Sequence, residues 1–599
     1  MAKAHTFHIP VMGIGFTVDT PLKVSKFGID SVISLVDDIL LEKMRKMYCE
    51  KFELPYHEIS NKIDDFRSKR ITSYLNLIND LAEKTFEELK TKGNEVKEYI
   101  NLLPDTSEIK KEFKVLTNKY FNINEISSWI NKNLSMGSID VNIMTKIDKE
   151  NYKKGEKLPL EYNDAFAAIR GYAQSKLKSS LVLSAGMHPR LYGYMEEFED
   201  FYPNEDGEIK KKIVLKVSDY RSALIQGRFF AKKGLWVSEY RIESGLNCGG
   251  HAFATEGFLM GPILEEFKKN REKLHRLAND VIKQALIDKN RAIPTKELEF
   301  TITAQGGVGT NEEHEFLMDY YGMDRVGWAS PFLLVPEVAN VDLATKDKLI
   351  EAKEEDLYVS DISPLGVKFN SLRNNTKDIE KEQLIAEGKA GSNCPKRYLI
   401  SNKDYTEKAI CTASRQFQKI KIEELKSKSL SEEEYKNEFH KITEKECICV
   451  GLGTSALLVN ELDTKIEGSG VSVCPGPNLA YFSREMKFKE MLNHIYGREN
   501  VISRHDRPNM FVKELNIYLE FLKDKIQDAE KSMSVGQEKY LKAFSNNLNE
   551  GIEYYQSMFS EVKNRFEDIK STIIKDLDDS KKALQHMFLQ IDKLSVNTN

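Results

Sequence analysis

Residues 300–309 read Phe-Thr-Ile-Thr-Ala-Gln-Gly-Gly-Val-Gly, and this stretch decides the fold. The apolar and β-branched residues up to Ala304 predict a strand, and the glycines that follow predict a turn. Thr310 and Glu313 have the spacing of a capping box, so a helix should begin directly after the glycines and run to Tyr321. A strand that ends in a glycine turn at a helix N-terminus is typical of parallel α/β proteins.

The next strand, Arg325 to Ser330 (RVGWAS), also ends in a turn of small residues. In β/α barrels the loops after strands seven and eight frequently form a phosphate site, and this pair of turns fits that position. Six further apolar strands precede them, at residues 7–12, 31–35, 138–144, 180–184, 213–217 and 235–240. Eight strands alternating with helical stretches predict a (β/α)8 TIM barrel. An open doubly wound sheet is the alternative, although the first strand lacks the G-x-G-x-x-G turn of dinucleotide-binding folds.

Strand six is followed by Asn247-Cys248-Gly249-Gly250-His251. Glycine has no Cβ and lets a ligand approach the backbone closely. Histidine is the side chain that most readily exchanges a proton near neutral pH. The residues therefore predict either a ligand-binding loop with a proton-transferring histidine or a tight turn with a structural one.

The order of these turns resembles the nitronate monooxygenases. These are also called 2-nitropropane dioxygenase-like FMN enzymes, and they include FMN-dependent enoyl-acyl-carrier-protein reductases. The resemblance spans residues 5–45 and 137–340. Its motifs are Ile9-Pro10-Val11-Met12-Gly13, Val141-Asn142-Ile143-Met144, Asn247-Cys248-Gly249-Gly250-His251, Ala304-Gln305-Gly306-Gly307 and Val326-Gly327-Trp328-Ala329-Ser330-Pro331-Phe332-Leu333.

The resemblance implies a role for each matching residue. Met12 and Gly13 would lie beside the flavin ring of FMN, and Asn142 would donate a hydrogen bond to it. Gly306, Gly307, Ala329 and Ser330 would hold the phosphate. The remaining cofactor-binding residues would be Gly249, Gly250, Gln305 and Gly327. His251 would be the general acid or base, with Cys248 beside it as a second catalytic candidate. His188 follows strand four and would contact substrate at the same mouth.

The resemblance implies an FMN-dependent oxidoreductase, a monooxygenase or a reductase, that acts on a small organic substrate. One alternative is a flavin-dependent enoyl-thioester reductase of lipid or polyketide synthesis, whose substrate is bound to an acyl carrier. A second alternative is a non-catalytic barrel scaffold that binds a partner. A flavin-coloured purified protein would separate the enzymes from the scaffold.

Composition agrees with a cytoplasmic enzyme. The chain has 599 residues and a formal net charge of −5, with charges of both signs interspersed, so no nucleic-acid partner is expected. No apolar run of transmembrane length and no signal peptide are apparent, so no membrane association is expected. Seven cysteines in a chain of this size do not indicate a disulfide scaffold.

Three regions are predicted along the chain. Residues 1–340 form the FMN-binding barrel, with residues 40–135 as a helical insertion, because a structureless loop of that length is improbable. Residues 341–499 form a cysteine-containing accessory or lid region. Residues 500–599 have apolar residues at helical spacing and form either a tail that packs on the barrel or an arm that makes a homo-oligomer.

The accessory region contains five of the seven cysteines: Cys394, Cys411, Cys447, Cys449 and Cys474. We expect the first four to bind a [4Fe-4S] cluster, although zinc could use the same ligands and buried core thiols are the alternative. The spacings match no ferredoxin pattern. On an extended strand, Cys447 and Cys449 would point to the same face. A cluster would favour an electron-donor protein, whereas a flavin alone would take electrons from substrate or a nicotinamide.

Overall fold

A computed structural model describes residues 3–118, 123–145, 148–184, 186–248, 256–530 and 533–596. Its centre is a sheet of eight parallel strands, numbered here in chain order. The strands are β1 (Phe7–His8), β2 (Ser31–Ser34), β3 (Ile139–Ile143), β4 (Ser179–Leu183), β5 (Lys211–Val217), β6 (Val237–Glu243), β7 (Thr301–Gln305) and β8 (Arg325–Gly327).

The strands close into a barrel in sequential order. The sheet runs β1-β8-β7-β6-β5-β4-β3-β2, and every neighbouring pair is parallel. A parallel bridge between Ile9 and Ser31 joins the end of β1 to the start of β2 and completes the ring. The predicted (β/α)8 barrel with a helical insertion and a helical C-terminal extension is therefore confirmed, and the open sheet is excluded.

Strand β6 lies later in the chain than residues 235–240, where we expected it. Leu235 and Trp236 are buried but precede the strand, because the amide of Leu235 still closes the preceding helix on Phe230. The strand instead continues through Arg241 and Glu243. In sequence these charged residues indicate the end of a strand, but here they face the interior of the barrel.

Charged side chains fill much of the barrel interior. Val32, Val182 and Val214 form a small apolar cluster there. The remainder is a buried ion network, in which Arg325 contacts Asp30 and lies 3.2 Å from Glu239. Burial opposes ionisation of Asp30, but the charges of Arg325 and Lys3 and the amide of Ser138 together outweigh it and hold the pKa of that carboxyl below its usual range. Such a network is strongly destabilised when one partner is removed.

Helices surround the barrel and form most of the rest of the chain. They are α1 (Thr20–Val24), α2 (Asp38–Lys51), α3 (Phe66–Thr91), α4 (Gly93–Leu102), α5 (Glu108–Asn118), α6 (Ile123–Asn133), α7 (Asp164–Ala173), α8 (Pro189–Tyr194), α9 (Tyr220–Ala231), α10 (Met260–Asp288), α11 (Asn311–Asp319), α12 (Leu343–Glu351), α13 (Thr376–Ala386), α14 (Arg415–Lys426), α15 (Glu432–Thr443), α16 (Ile448–Val459), α17 (Phe488–Ile495), α18 (Met510–Ala529), α19 (Val535–Glu561) and α20 (Lys570–Val596). Across the described ranges, no helix is long and apolar enough to cross a membrane.

The insertion and the C-terminal region both pack on the barrel helices. In the insertion, α3 packs on α2 and on the barrel helix α7. At the C-terminus, α18, α19 and α20 pack on one another, and α18 and α19 also contact α10. The apolar faces predicted from helical spacing are thus covered within the chain.

The accessory region contributes an antiparallel hairpin, β9 (Leu357–Ser360) and β10 (Phe369–Leu372), and the helices α12 to α17. Cys447 and Cys449 do not lie on an extended strand. Cys447 is the N-cap residue of α16, and Cys449 lies in its first turn. The run ICVGLGTSALLV is mostly apolar, and the periodicity of such a run does not distinguish a buried helix from a strand.

Candidate active site

The carboxyl ends of the barrel strands carry one ring of interior-facing residues, which we call the mouth layer: Asn142, Lys216, Glu243, Gln305 and Gly327. The strand register aligns Glu243 with Gln305 and Gln305 with Gly327. Active sites of β/α barrels lie at this end. Gln305 and Gly327, which the resemblance assigns to the cofactor, therefore lie side by side, and Asn142 lies near the carboxyl end of β3.

A polar network joins the mouth layer on one side. The amine of Lys216 lies 2.8 Å from a carboxylate oxygen of Glu243. Glu243 also accepts hydrogen bonds from Asn247 at 2.8 Å and from Gln305 at 3.0 Å, and Gln305 donates a second bond to Asn247 at 2.7 Å. Sequence analysis missed Lys216 and Glu243. The only indication in the sequence was a single lysine inside the apolar strand IVLKV. The sequence does not tell whether that lysine points into the barrel or towards the helices.

Two buried polar groups at the mouth have no hydrogen-bond partner among the described residues. They are Oε1 of Gln305 and both ring nitrogens of His8. His8 aligns with Gly327, and its Nε2 lies 3.0 Å from where a Cβ on Gly327 would stand. Burial, with the charge of Arg241 next in size, holds the pKa of His8 well below its usual value, so the ring is neutral. Unpaired buried polar atoms are costly unless something binds them, and the edge of a flavin ring carries suitable donors and acceptors.

The glycine turn after β7 is closely packed. Gly306 and Gly307 have φ angles of 114° and 87°, which disfavour any side chain. A Cβ on Gly307 would lie 2.3 Å from Cδ1 of Leu246, and one on Gly306 would lie 2.8 Å from Oγ of Ser244. The glycines are therefore needed at least for packing against the turn after β6, whatever ligand the loop binds.

A carboxylate of the chain itself, that of Glu313, lies at the helix N-terminus beside this turn. Thr310 caps α11 and accepts a hydrogen bond from the amide of Glu313 at 3.1 Å. The buried carboxylate of Glu313 accepts the amide of Gly309 at 2.9 Å and pairs with Arg507 at 2.8 Å. A phosphate attracted by the dipole of this helix would compete with Glu313. The surroundings of this helix N-terminus therefore suit a phosphate less well than the mouth layer suits a flavin ring.

Ala329 and Ser330 follow β8 and lie beside the accessory region. A Cβ on Gly476 would lie 2.8 Å from Oγ of Ser330 and 3.4 Å from Cβ of Cys248. The thiol of Cys248 donates to the carbonyl of Cys474 at 3.0 Å. Burial raises the pKa of Cys248 well above its usual range, although the hydroxyl of Ser330 opposes this. A protonated, buried thiol is a poor nucleophile, and its catalytic role stays a prediction.

The loop after β1 lies against helix α16. Met12 is fully buried, and a Cβ on Gly13 would lie 2.5 Å from the ring of Phe16 and 3.6 Å from Leu452. The amide of Gly15 donates to the carbonyl of Leu452 at 2.7 Å. The loop that carries the residues assigned to the flavin ring thus packs against α16, whose N-cap residue is Cys447.

His188 has a local structural role in addition to its position near the mouth. It is the N-cap of α8, and its Nδ1 accepts a hydrogen bond from the amide of Leu191 at 3.2 Å.

Gly249, Gly250 and His251 lie outside the described residues, so their assigned roles stay predictions.

The structure brings the four predicted ligand cysteines together. Cys394, Cys411, Cys447 and Cys449 are buried in one apolar cluster, which also contains Cys474. The thiol of Cys394 is a neighbour of that of Cys411, and the thiol of Cys447 is a neighbour of that of Cys449. Among the described residues, however, no three His, Cys, Asp or Glu side chains form a group that could hold a metal ion.

No protein-family model matches the chain, and no curated protein matches it in sequence. The chain is similar to the crystal structure of the enoyl reductase domain of MlnA from the macrolactin biosynthesis cluster of Bacillus amyloliquefaciens, at 15% identity and a TM-score of 0.31 over 68% of this chain and 88% of that one. It is also similar to nitroalkane oxidase from Streptomyces ansochromogenes, at 9% identity and a TM-score of 0.33 over 83% and 96% of the two chains. At these values neither likeness decides what this chain binds or catalyses.

Proposed function

We propose that the protein is an FMN-dependent oxidoreductase of the nitronate monooxygenase-like type, with the flavin ring on the mouth layer and a small organic substrate above it. The observation that carries the proposal is the set of buried, unpaired polar atoms of Gln305 and His8 at the barrel mouth. The motifs that resemble the FMN enzymes support a flavin at this end of the barrel. Bound FMN would supply hydride or single-electron transfer.

The protein's own residues would bind and orient the ring. Gln305 presents an unpaired carbonyl oxygen, while its amide group is fixed by Glu243 and Asn247. Lys216 in turn pairs with Glu243 and makes that carboxylate a fixed acceptor. Gln305 would therefore be a binding residue, and Lys216 and Glu243 would be positioning residues. His251 is the proposed proton-transfer residue towards substrate.

The test is the flavin content of the purified protein. We expect the absorbance spectrum of oxidised flavin, and mass spectrometry of the released cofactor should identify FMN at close to one per chain. Gln305→Leu should weaken FMN binding by about tenfold, since one hydrogen bond to the ring contributes about 1.4 kcal/mol. Gln284→Leu changes the same side chain on the outer helix α10 and should leave FMN binding unchanged.

Two results would contradict the proposal. One is a colourless protein that does not bind added FMN in a titration followed by flavin fluorescence. The other is a Gln305→Leu variant that binds FMN as tightly as the wild type, which would move the ring away from the mouth layer.

A further inference from the structure

The cysteine cluster is built from three chain segments that are fixed to one another. The loop that carries Cys394 is bonded to the one that carries Cys411, because the amide of Ser392 donates to Ala413 at 3.0 Å and that of Arg415 donates to Ser392 at 2.8 Å. Cys394 and Arg397 have φ angles of 51° and 57°, which are uncommon for residues other than glycine. Strained backbone of this kind is concentrated at ligand sites.

Backbone amides lie close to two of the four sulfurs. The N–H of Arg397 lies near Cys394 and that of Ala413 lies near Cys411. Each amide belongs to a residue two or three positions after its cysteine. Hydrogen bonds to an ionised acceptor are about twice as strong as those to a neutral one, so this arrangement favours thiolates. Bonds to ligand sulfurs are also one of the ways in which proteins adjust bound iron–sulfur clusters.

The cluster lies beside the mouth of the barrel. Val36 and Met144, which follow β2 and β3, pack directly against it, as does Leu452 of α16. Lys396, two residues after Cys394, is completely buried and lies 2.6 Å from Asp37 and 3.0 Å from Glu467. This buried ion pair fixes the Cys394 loop to the end of β2. The four sulfurs are thus held next to the ring of residues proposed to bind the flavin.

We propose that Cys394, Cys411, Cys447 and Cys449 bind a [4Fe-4S] cluster at the mouth of the barrel. A single zinc ion needs its ligands about 2.3 Å from one point, and no group of described residues has that arrangement. A four-iron cluster is larger, since each thiolate binds a different iron at a corner of a cube. Cys474 is not a ligand, because it lies against Cys248.

The test measures metal and sulfide and does not depend on whether FMN binds. The full chain is produced with added iron and purified without oxygen, and iron, acid-labile sulfide and zinc are determined. About four irons and four sulfides per chain are expected. Mössbauer spectra of the wild-type protein should show the signature of a [4Fe-4S] cluster. This measurement keeps the proposal testable even if a cysteine variant does not fold.

Variants then test the assignment of ligands. Cys447→Ser should lose at least half of the bound iron, whereas Cys474→Ser changes a buried thiol of the same apolar cluster and should keep it. Circular dichroism establishes that both variants are folded. About one zinc per chain without iron would overturn the proposal, as would a protein free of metal and sulfide. Loss of iron from folded Cys474→Ser would overturn this ligand set.

Discussion

At the residue scale, Gly307 has a conformation and surroundings that only glycine satisfies. In Gly307→Ala the added Cβ would lie 2.3 Å from Leu246, at a φ of 87°. We expect a loss of about 2–4 kcal/mol in the free energy of unfolding, of which about 1–2 kcal/mol is backbone strain and the remainder is overpacking. Urea denaturation followed by circular dichroism measures this loss.

Gly322 provides the matched control. It has a φ of 68°, and no atom lies within 4 Å of the position of its Cβ. Gly322→Ala should therefore show only the strain, about 1–2 kcal/mol. If both variants lose the same stability, packing against Leu246 does not explain the glycine at 307.

At the element scale, Glu514 joins the C-terminal helices to the barrel helices. It lies on α18, accepts the amide of Met260 in α10 at 2.9 Å and receives the hydroxyl of Tyr555 in α19. Burial raises the pKa of this carboxyl to about 8, so it is protonated at neutral pH. The folded chain thus holds a proton that the unfolded chain, with a glutamate pKa near 4.5, releases.

The sign of the pH dependence follows from this difference. The stabilisation from the bound proton is complete below about pH 4.5 and is lost as the pH rises through about 8. Glu514→Gln keeps an acceptor for Met260 and should remove this dependence. At pH 9 the variant should be more stable than the wild type by up to a few kcal/mol, because each unit of difference between the folded and unfolded pKa contributes about 1.4 kcal/mol.

Thermal unfolding of the wild type and of Glu514→Gln between pH 5 and 9 measures the effect. Glu520 lies on the same helix with an exposed side chain, and Glu520→Gln should follow the wild-type curve. Parallel curves for the wild type and Glu514→Gln would show that the carboxyl is ionised in the folded protein.

The strands could be predicted from sequence because each is a short apolar run before a turn of small residues. Asn142, Gln305 and Gly327 could be placed at the mouth for the same reason. Lys216 and Glu243 could not, because the direction of a charged side chain depends on the register between strands. The meeting of Cys394 and Cys411 with Cys447 depends on loops whose course no spacing reveals.

At the scale of the whole molecule, one buried ion pair joins the C-terminal region to the barrel. Arg507 precedes α18 and lies 2.8 Å from Glu313 at the start of α11, and it also donates to the carbonyl of Gly307 at 2.9 Å. The C-terminal region thereby fixes the glycine turn of the proposed flavin site. Through Arg507, residues 500–599 contact the mouth of the barrel, although they follow the accessory region in sequence.

Arg507→Ala should therefore affect both stability and the site. The carboxylate of Glu313 would remain buried without its partner, which costs about 3–5 kcal/mol, and FMN retention should fall because the turn at Gly307 loses a contact. Arg565 is the matched control, since it pairs with Glu315 and Asp319 on the exposed side of the same helix. Arg565→Ala should cost at most about 1 kcal/mol and leave FMN retention unchanged. Denaturant unfolding measures the stability of both variants, and absorbance measures their flavin content. Equal losses of stability and of flavin in the two variants would show that the buried pair does not hold the two regions together.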